Sequence, residues 1–181
     1  PRSHLHQWPV ALAAQATVLT MALFAFSRTS EVWAVLFSVA VLPALCEEWL
    51  FRGTLQPILV RATGSVHFGI WVSAALFSAI HMQFFGFVPR MLLGAGFGYL
   101  VVYSGSLWPA ILGHFVNNAG VVIAAWWMGS TWLEEGLEPQ PLSAWAWTDW
   151  GTALAALVAL GWALGRLRSA GNPAGYLSAL S

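Results

Sequence analysis

The sequence predicts an all-α, polytopic transmembrane helix bundle of about six spans. Of 181 residues, 59% are hydrophobic and only 8% are charged, and apolar runs of near-membrane length recur along the chain. A soluble domain carries about 25% charged residues. This chain has too few to solvate a surface, so the solvent it expects is lipid.

Crossing a bilayer takes roughly 20 apolar residues in a helix. The first candidate span runs from Trp8 to Phe26, and the second from Val32 through Cys46 and two glutamates to Leu59. The third is His67 to Met82, the fourth Val88 to Tyr103, the fifth Leu107 to Met128 and the sixth Trp150 to Leu164. Most connections are brief. The exception, Gly129 to Asp149, holds Glu134, Glu135, Glu138, Asp149 and two prolines. It reads as a solvated loop with Trp132, Trp145 and Trp147 at the interface. No repeat of domain-building length is visible, so residues 1–181 read as a single membrane-embedded domain. The chain opens on Pro1 rather than Met and is expected to lack an upstream piece.

With six spans the termini share one side. That side carries Arg2, Arg61, Arg166 and Arg168, against Arg28 and Arg90 on the other. Arginine-rich loops stay cytoplasmic, which predicts cytoplasmic termini. The Lys-free, Ala- and Trp-rich composition points to a bacterial cytoplasmic membrane. Zero net charge and the absence of Lys argue against a nucleic-acid partner. The single cysteine, Cys46, excludes an internal disulfide framework, and its neighbours Leu42 and Leu45 suggest a buried thiol.

Charged side chains at a bilayer centre cost about 2.5–3.5 kcal/mol each on insertion scales. Yet Glu47, Glu48 and Arg52 all fall inside the second span. Glu48 and Arg52 are four apart, share a helix face and can pair. Glu47 is turned about 100° away and has no partner on its own helix, which suits a general base. His81 ends the third span one turn after Phe77, which reads as a packing residue that orients it. His114 and Asn118 stand one turn apart in the fifth span and can present two hydrogen-bonding groups to one point, with Asn117 as a possible substitute. Measured from the Arg61–Val66 connection, Glu47 and His81 both lie ~20 Å deep at 1.5 Å per residue. His114 lies only ~10 Å from its own end, about two turns short of them.

The bland alternative is a bundle core in which these groups merely satisfy one another. Ionisable residues spread over three neighbouring spans favour function instead. Gly94, Gly96 and Gly98 read as close helix packing. His4, His6 and His67, near a terminus or a span end, read as solvated.

Glu47-Glu48-Trp49-Leu50-Phe51-Arg52 resembles the EExxxR motif of the CAAX protease and bacteriocin-processing family, also called Abi. Phe77 to His81 matches its FxxxH motif and His114 to Asn118 its HxxxN motif. Gly53 and the stretch Gly105 to His114 look like the family as well, and the resemblance covers about residues 40–122. The family is similar to the eukaryotic type 2 CAAX prenyl endopeptidase, which removes the last three residues of prenylated proteins.

The resemblance implies an intramembrane endopeptidase acting on a membrane-inserted or lipidated peptide. Glu47 with His81 would activate water, His114 and Asn118 would stabilise the oxyanion, and Glu48 and Arg52 would support Glu47. No cofactor is preferred. Zinc held by Glu47, His81 and His114 is the alternative, since catalytic zinc uses three protein ligands and a water. The HExxH spacing of zincins is absent. A non-catalytic scaffold or immunity protein on the same fold, and a small transporter with a proton relay through Glu47 and His81, are the competing readings. The transporter is disfavoured because no inverted repeat is apparent.

Overall fold

The computed structural model describes residues 29–82 and 86–128, together with positions 161, 165, 176 and 178. Among the described residues every element is helical. Helix α1 runs unbroken over Glu31–Thr63, followed by α2 (Val66–Ala79), α3 (Phe87–Ser104) and α4 (Trp108–Met128). These correspond to the second through fifth expected spans. The first expected span, the acidic loop and the sixth span lie outside the described residues, apart from Gly161.

Helices α1, α3 and α4 are long and apolar enough to cross a membrane, and their outer faces carry exposed Trp33, Trp49, Trp108 and Trp127. The fold is that of an all-helical membrane protein. Helix α2 is the short member: its 14 residues reach ~21 Å, less than the ~30 Å hydrocarbon core.

Local chemistry sets the boundaries. Gly64 ends α1 in the left-handed region at φ 68°, its N–H donating to the Val60 carbonyl at 2.8 Å. Glycine adopts that conformation without a steric penalty. Ser65 then caps α2, its hydroxyl accepting the Phe68 N–H at 3.3 Å.

Helix α1 is not a regular α-helix. Leu36–Val41 and Trp49–Leu55 are π-helical, and the N–H groups of Leu42 and Gln56 reach back five residues, to Phe37 and Phe51. Each wide stretch is followed within two residues by a proline, Pro43 or Pro57. Proline lacks an N–H and its ring collides with the carbonyl four residues back; a π-turn is one way to absorb the misfit. In lipid the affected carbonyls must find partners in the protein. Asn118 Nδ2 donates to the Val39 carbonyl, four residues before Pro43, at 3.0 Å, and Ser73 Oγ adds a second donor at 3.1 Å to the Phe51 carbonyl, which already accepts from Gln56 N–H.

Small residues let the helices close. Ile70 and Ala74 of α2 pack on Ala95 and Val102 of α3. Phe97 and Val101 pack on Ala110, and Val32 and Val35 of α1 meet Val122 and Ala125 of α4. Cys46 corrects one expectation: its thiol is exposed. Its apolar flank, with Leu42, Leu45 and Trp49 all exposed, is an outer face of α1. In a membrane bundle an apolar flank marks lipid as readily as core.

Candidate active site

Three polar residues of α1, Glu48, Arg52 and Gln56, recur every four residues and are fully buried; Arg52 and Gln56 bond α3 and Glu48 bonds α4. Arg52 Nη1 donates to Glu48 Oε1 at 2.8 Å and Nη2 to the Gly94 carbonyl at 2.8 Å. Its guanidinium lies 4.5 Å from the centre of the Phe77 ring. Gln56 Nε2 donates to the Gly98 carbonyl at 3.3 Å. A Cβ on Gly94 would stand 2.7 Å from Arg52 Nη2, and one on Gly98 2.7 Å from Gln56 Oε1. The glycine spacing therefore does more than bring helices together: it makes room for two polar heads and exposes carbonyls to them. The expected Glu48–Arg52 pair is present. Gln56 went unnoticed in the sequence, although its spacing from Arg52 was the available signal.

Glu48 Oε1 also accepts from His114 Nδ1 at 2.8 Å. With that nitrogen committed, His114 presents Nε2 to Glu47 Oε2 at 3.8 Å. The ring is buried, stacked on Phe97 at 5.6 Å and met edgewise by Phe77 at 5.8 Å. His81 follows the end of α2, its Nδ1–H donating to the Phe77 carbonyl at 2.9 Å, so its Nε2 also faces Glu47 Oε2, at 3.9 Å. Phe77 thus orients His81, as its place in the sequence suggested. Glu47 is 25% and His81 30% exposed, which leaves the trio reachable.

The depth mismatch of His114 disappears. Glu47 lies sixteen residues from each end of the Glu31–Thr63 helix, ~24 Å either way. Leu107 packs against Gly53, so α4 starts beside the middle of α1, ten residues short of Thr63. His114 then needs only its six-residue advance from Trp108 to reach Glu48.

The Asn118 amide donates one N–H to the Val39 carbonyl at 3.0 Å, and its Oδ1 accepts from Asn117 Nδ2 at 3.1 Å. Arg90 lies in the first turn of α3, within the expected fourth span, and its charge acts on both Glu47 and His81. It stands one turn before Gly94, the spacing that could have revealed it. His67 is exposed and bonded to the Tyr99 hydroxyl at 2.8 Å, away from the trio.

Glu47 Oε2 is buried without a hydrogen-bond partner and faces two imidazole nitrogens whose opposite N–H groups are held by acceptors. Metal-ligating histidines are commonly oriented in this way, so the donor set suits zinc chemically. Tetrahedral zinc at ~2.0–2.1 Å would separate its donors by ~3.4 Å, whereas a tetrahedrally placed water would want ~4.6 Å. The observed 3.8 and 3.9 Å fall between. As they stand, no three such side chains among the described residues are spaced as a ligand set.

Over 85 residues, 45% of this chain and 40% of the relative, the sequence is 27% identical to the uncharacterized protein YpbD of Bacillus subtilis. The matched stretch spans less than half the length of that curated relative. No solved structure matches the chain. The family model described as type II CAAX prenyl endopeptidase Rce1-like matches residues 28–120, which hold α1 through the HxxxN motif and with it Glu47, His81 and His114. By that match the chain belongs to the Rce1-like family of type II CAAX prenyl endopeptidases.

Proposed function

We propose that this chain is an intramembrane endopeptidase that hydrolyses a peptide bond in a membrane-inserted or lipidated substrate. The observation that carries this reading is the convergence of Glu47, His81 and His114 from three helices at mid-depth of α1, with Glu47 and His81 partly open. Family membership supports a protease in general terms.

In this reading a water lies against Glu47 Oε2 and His81 Nε2. Glu47 accepts its proton as the oxygen adds to the scissile carbonyl. His114 Nε2 faces the same Glu47 oxygen at 3.8 Å. When protonated, it is held by the Glu48 carboxylate at Nδ1 and offers Nε2–H to the developing oxyanion. Arg52 keeps Glu48 in place. The proton taken from water then passes to the leaving amine. A zinc ion held by Glu47, His81 and His114 would supply Lewis-acid polarisation of the carbonyl and a more acidic water; the metal-free route remains the preferred one. The proposed setting is a bacterial cytoplasmic membrane with cytoplasmic termini.

The test uses the purified chain and its Glu47→Ala, His81→Ala and His114→Ala variants on quenched-fluorescent peptides ending in a prenylated CAAX sequence, with and without a chelator. Glu47→Ala is expected to be inactive while keeping wild-type thermal unfolding. Cleavage surviving in that variant would sink the mechanism. Loss of wild-type cleavage with chelator, and its return with Zn²⁺ alone, would replace the metal-free route by the zinc one.

A further inference from the structure

Arg90 is the one charged residue of α3, and it is half-buried. Its place follows from the contact between α2 and α3. Phe77 lies against Gly94, where an added Cβ would stand 3.1 Å from the ring. Four residues nearer the connection between the two helices, one chain segment carries His81 and the other Arg90. The two therefore stand at similar depth, on the rim where Glu47 and His81 are partly open. The charge of Arg90 acts on both of them. Helical side chains lean toward the N-terminus, and this one folds back over Gly86, whose added Cβ would meet Nη2 at 2.8 Å. The guanidinium thus lies about one turn of α3, ~5 Å, beyond the Arg90 backbone.

We propose that Arg90 is a specificity-determining residue that receives the terminal carboxylate of the substrate, with the scissile bond two or three residues upstream at Glu47 and His81. A guanidinium presents a planar fork that matches a carboxylate in two parallel hydrogen bonds. The reach agrees with this role. Extended residues advance ~3.3 Å each, so a carboxylate held a helical turn outward of His81 ends a short stretch of chain beginning at the site. An internal loop or a continuous transmembrane segment has no carboxylate to offer at that distance. Arg90 would thereby direct a general peptide-hydrolysing site toward chain ends. The assignment rests on the protease reading for turnover, whereas recognition of the carboxylate can be measured without it.

The test compares two prenylated CAAX peptides that differ only at the C-terminus, one a free carboxylate and the other a carboxamide. The wild type should cleave the carboxylate with a kcat/KM roughly tenfold to a hundredfold higher, most of it in KM. In Arg90→Gln that ratio should fall to about one. Arg90→Lys keeps the charge but loses the fork, so its ratio should lie between. A residue that only balances the charge of Glu47, or only holds α3, would behave otherwise: its loss lowers cleavage of both peptides alike. That outcome, or a wild type indifferent to the C-terminus, would overturn the proposal. Should Arg90→Gln fail to fold, Arg90→Lys decides, and an unchanged preference refutes the role. Binding separates this proposal from the protease reading. Fluorophore-labelled forms of both peptides are titrated onto Glu47→Ala in detergent, where the carboxylate should bind at least tenfold tighter; Arg90→Gln in that background should remove the difference. Equal binding to Glu47→Ala would also overturn the proposal. If the wild type cleaves neither peptide, the protease reading fails and the binding ratio still decides this one.

Discussion

Glu48 has the most demanding position in the molecule, because one buried oxygen serves both a structural arginine and a site histidine. Its Oε1 accepts from Arg52 and His114 at 2.8 Å each. Removing one partner of a buried pair leaves an uncompensated charge and costs about 3–5 kcal/mol. Glu48→Gln should therefore lower unfolding stability by that order, and Glu48→Gln/Arg52→Met should cost less than the two single changes together. A melting cycle in detergent checks this, and strict additivity would show that the pair is not coupled. The pairing was legible from i, i+4 spacing alone. The second bond was not, since which of two adjacent glutamates faces α4 depends on the roll of α1.

Between helices, glycines decide how close polar heads can come. At Gly94 an added methyl group meets a guanidinium already wedged between the Phe77 ring and the α3 backbone. Gly94→Ala should displace Arg52, loosen Glu48 and so misplace His114, costing about 1–3 kcal/mol of stability and more than tenfold in kcat. Gly64→Ala is the control. It sits in the left-handed region with open space around its Cβ position, so it should cost about 1 kcal/mol with kcat unchanged. Helix existence was readable from apolar runs, and the observed bounds of α2, α3 and α4 differ from expectation by at most three residues at either end. The π-helical stretches were not anticipated, although Pro43 and Pro57 stood in the sequence as their cause. Proline announces a disturbed helix; whether it kinks, breaks or widens depends on which neighbours satisfy the freed carbonyls.

The described residues form a membrane bundle with an apolar outer surface and a polar inner seam. Its lone thiol offers a direct check. Cys46 is exposed but lies next to Glu47 at the middle of α1, ~24 Å from either end. In intact vesicles a charged, membrane-impermeant maleimide should leave Cys46 unlabelled, and after denaturation in SDS it should label fully. Rapid labelling in intact vesicles would mean that this face of α1 meets water.

From the linear chain alone follow the lipid solvent, the helical class, the Glu48–Arg52 pair and the candidacy of Glu47, His81 and His114. Each rests on composition or on the fixed 100° step of a helix, which needs no knowledge of neighbours. The packed fold alone settles that α4 begins beside Gly53, which brings His114 to the depth of Glu47, that Asn118 bonds the Val39 carbonyl, and that the charge of Arg90 acts on Glu47 and His81. Those facts depend on where separate helices start and how they roll against one another, and no periodicity within a single helix encodes either.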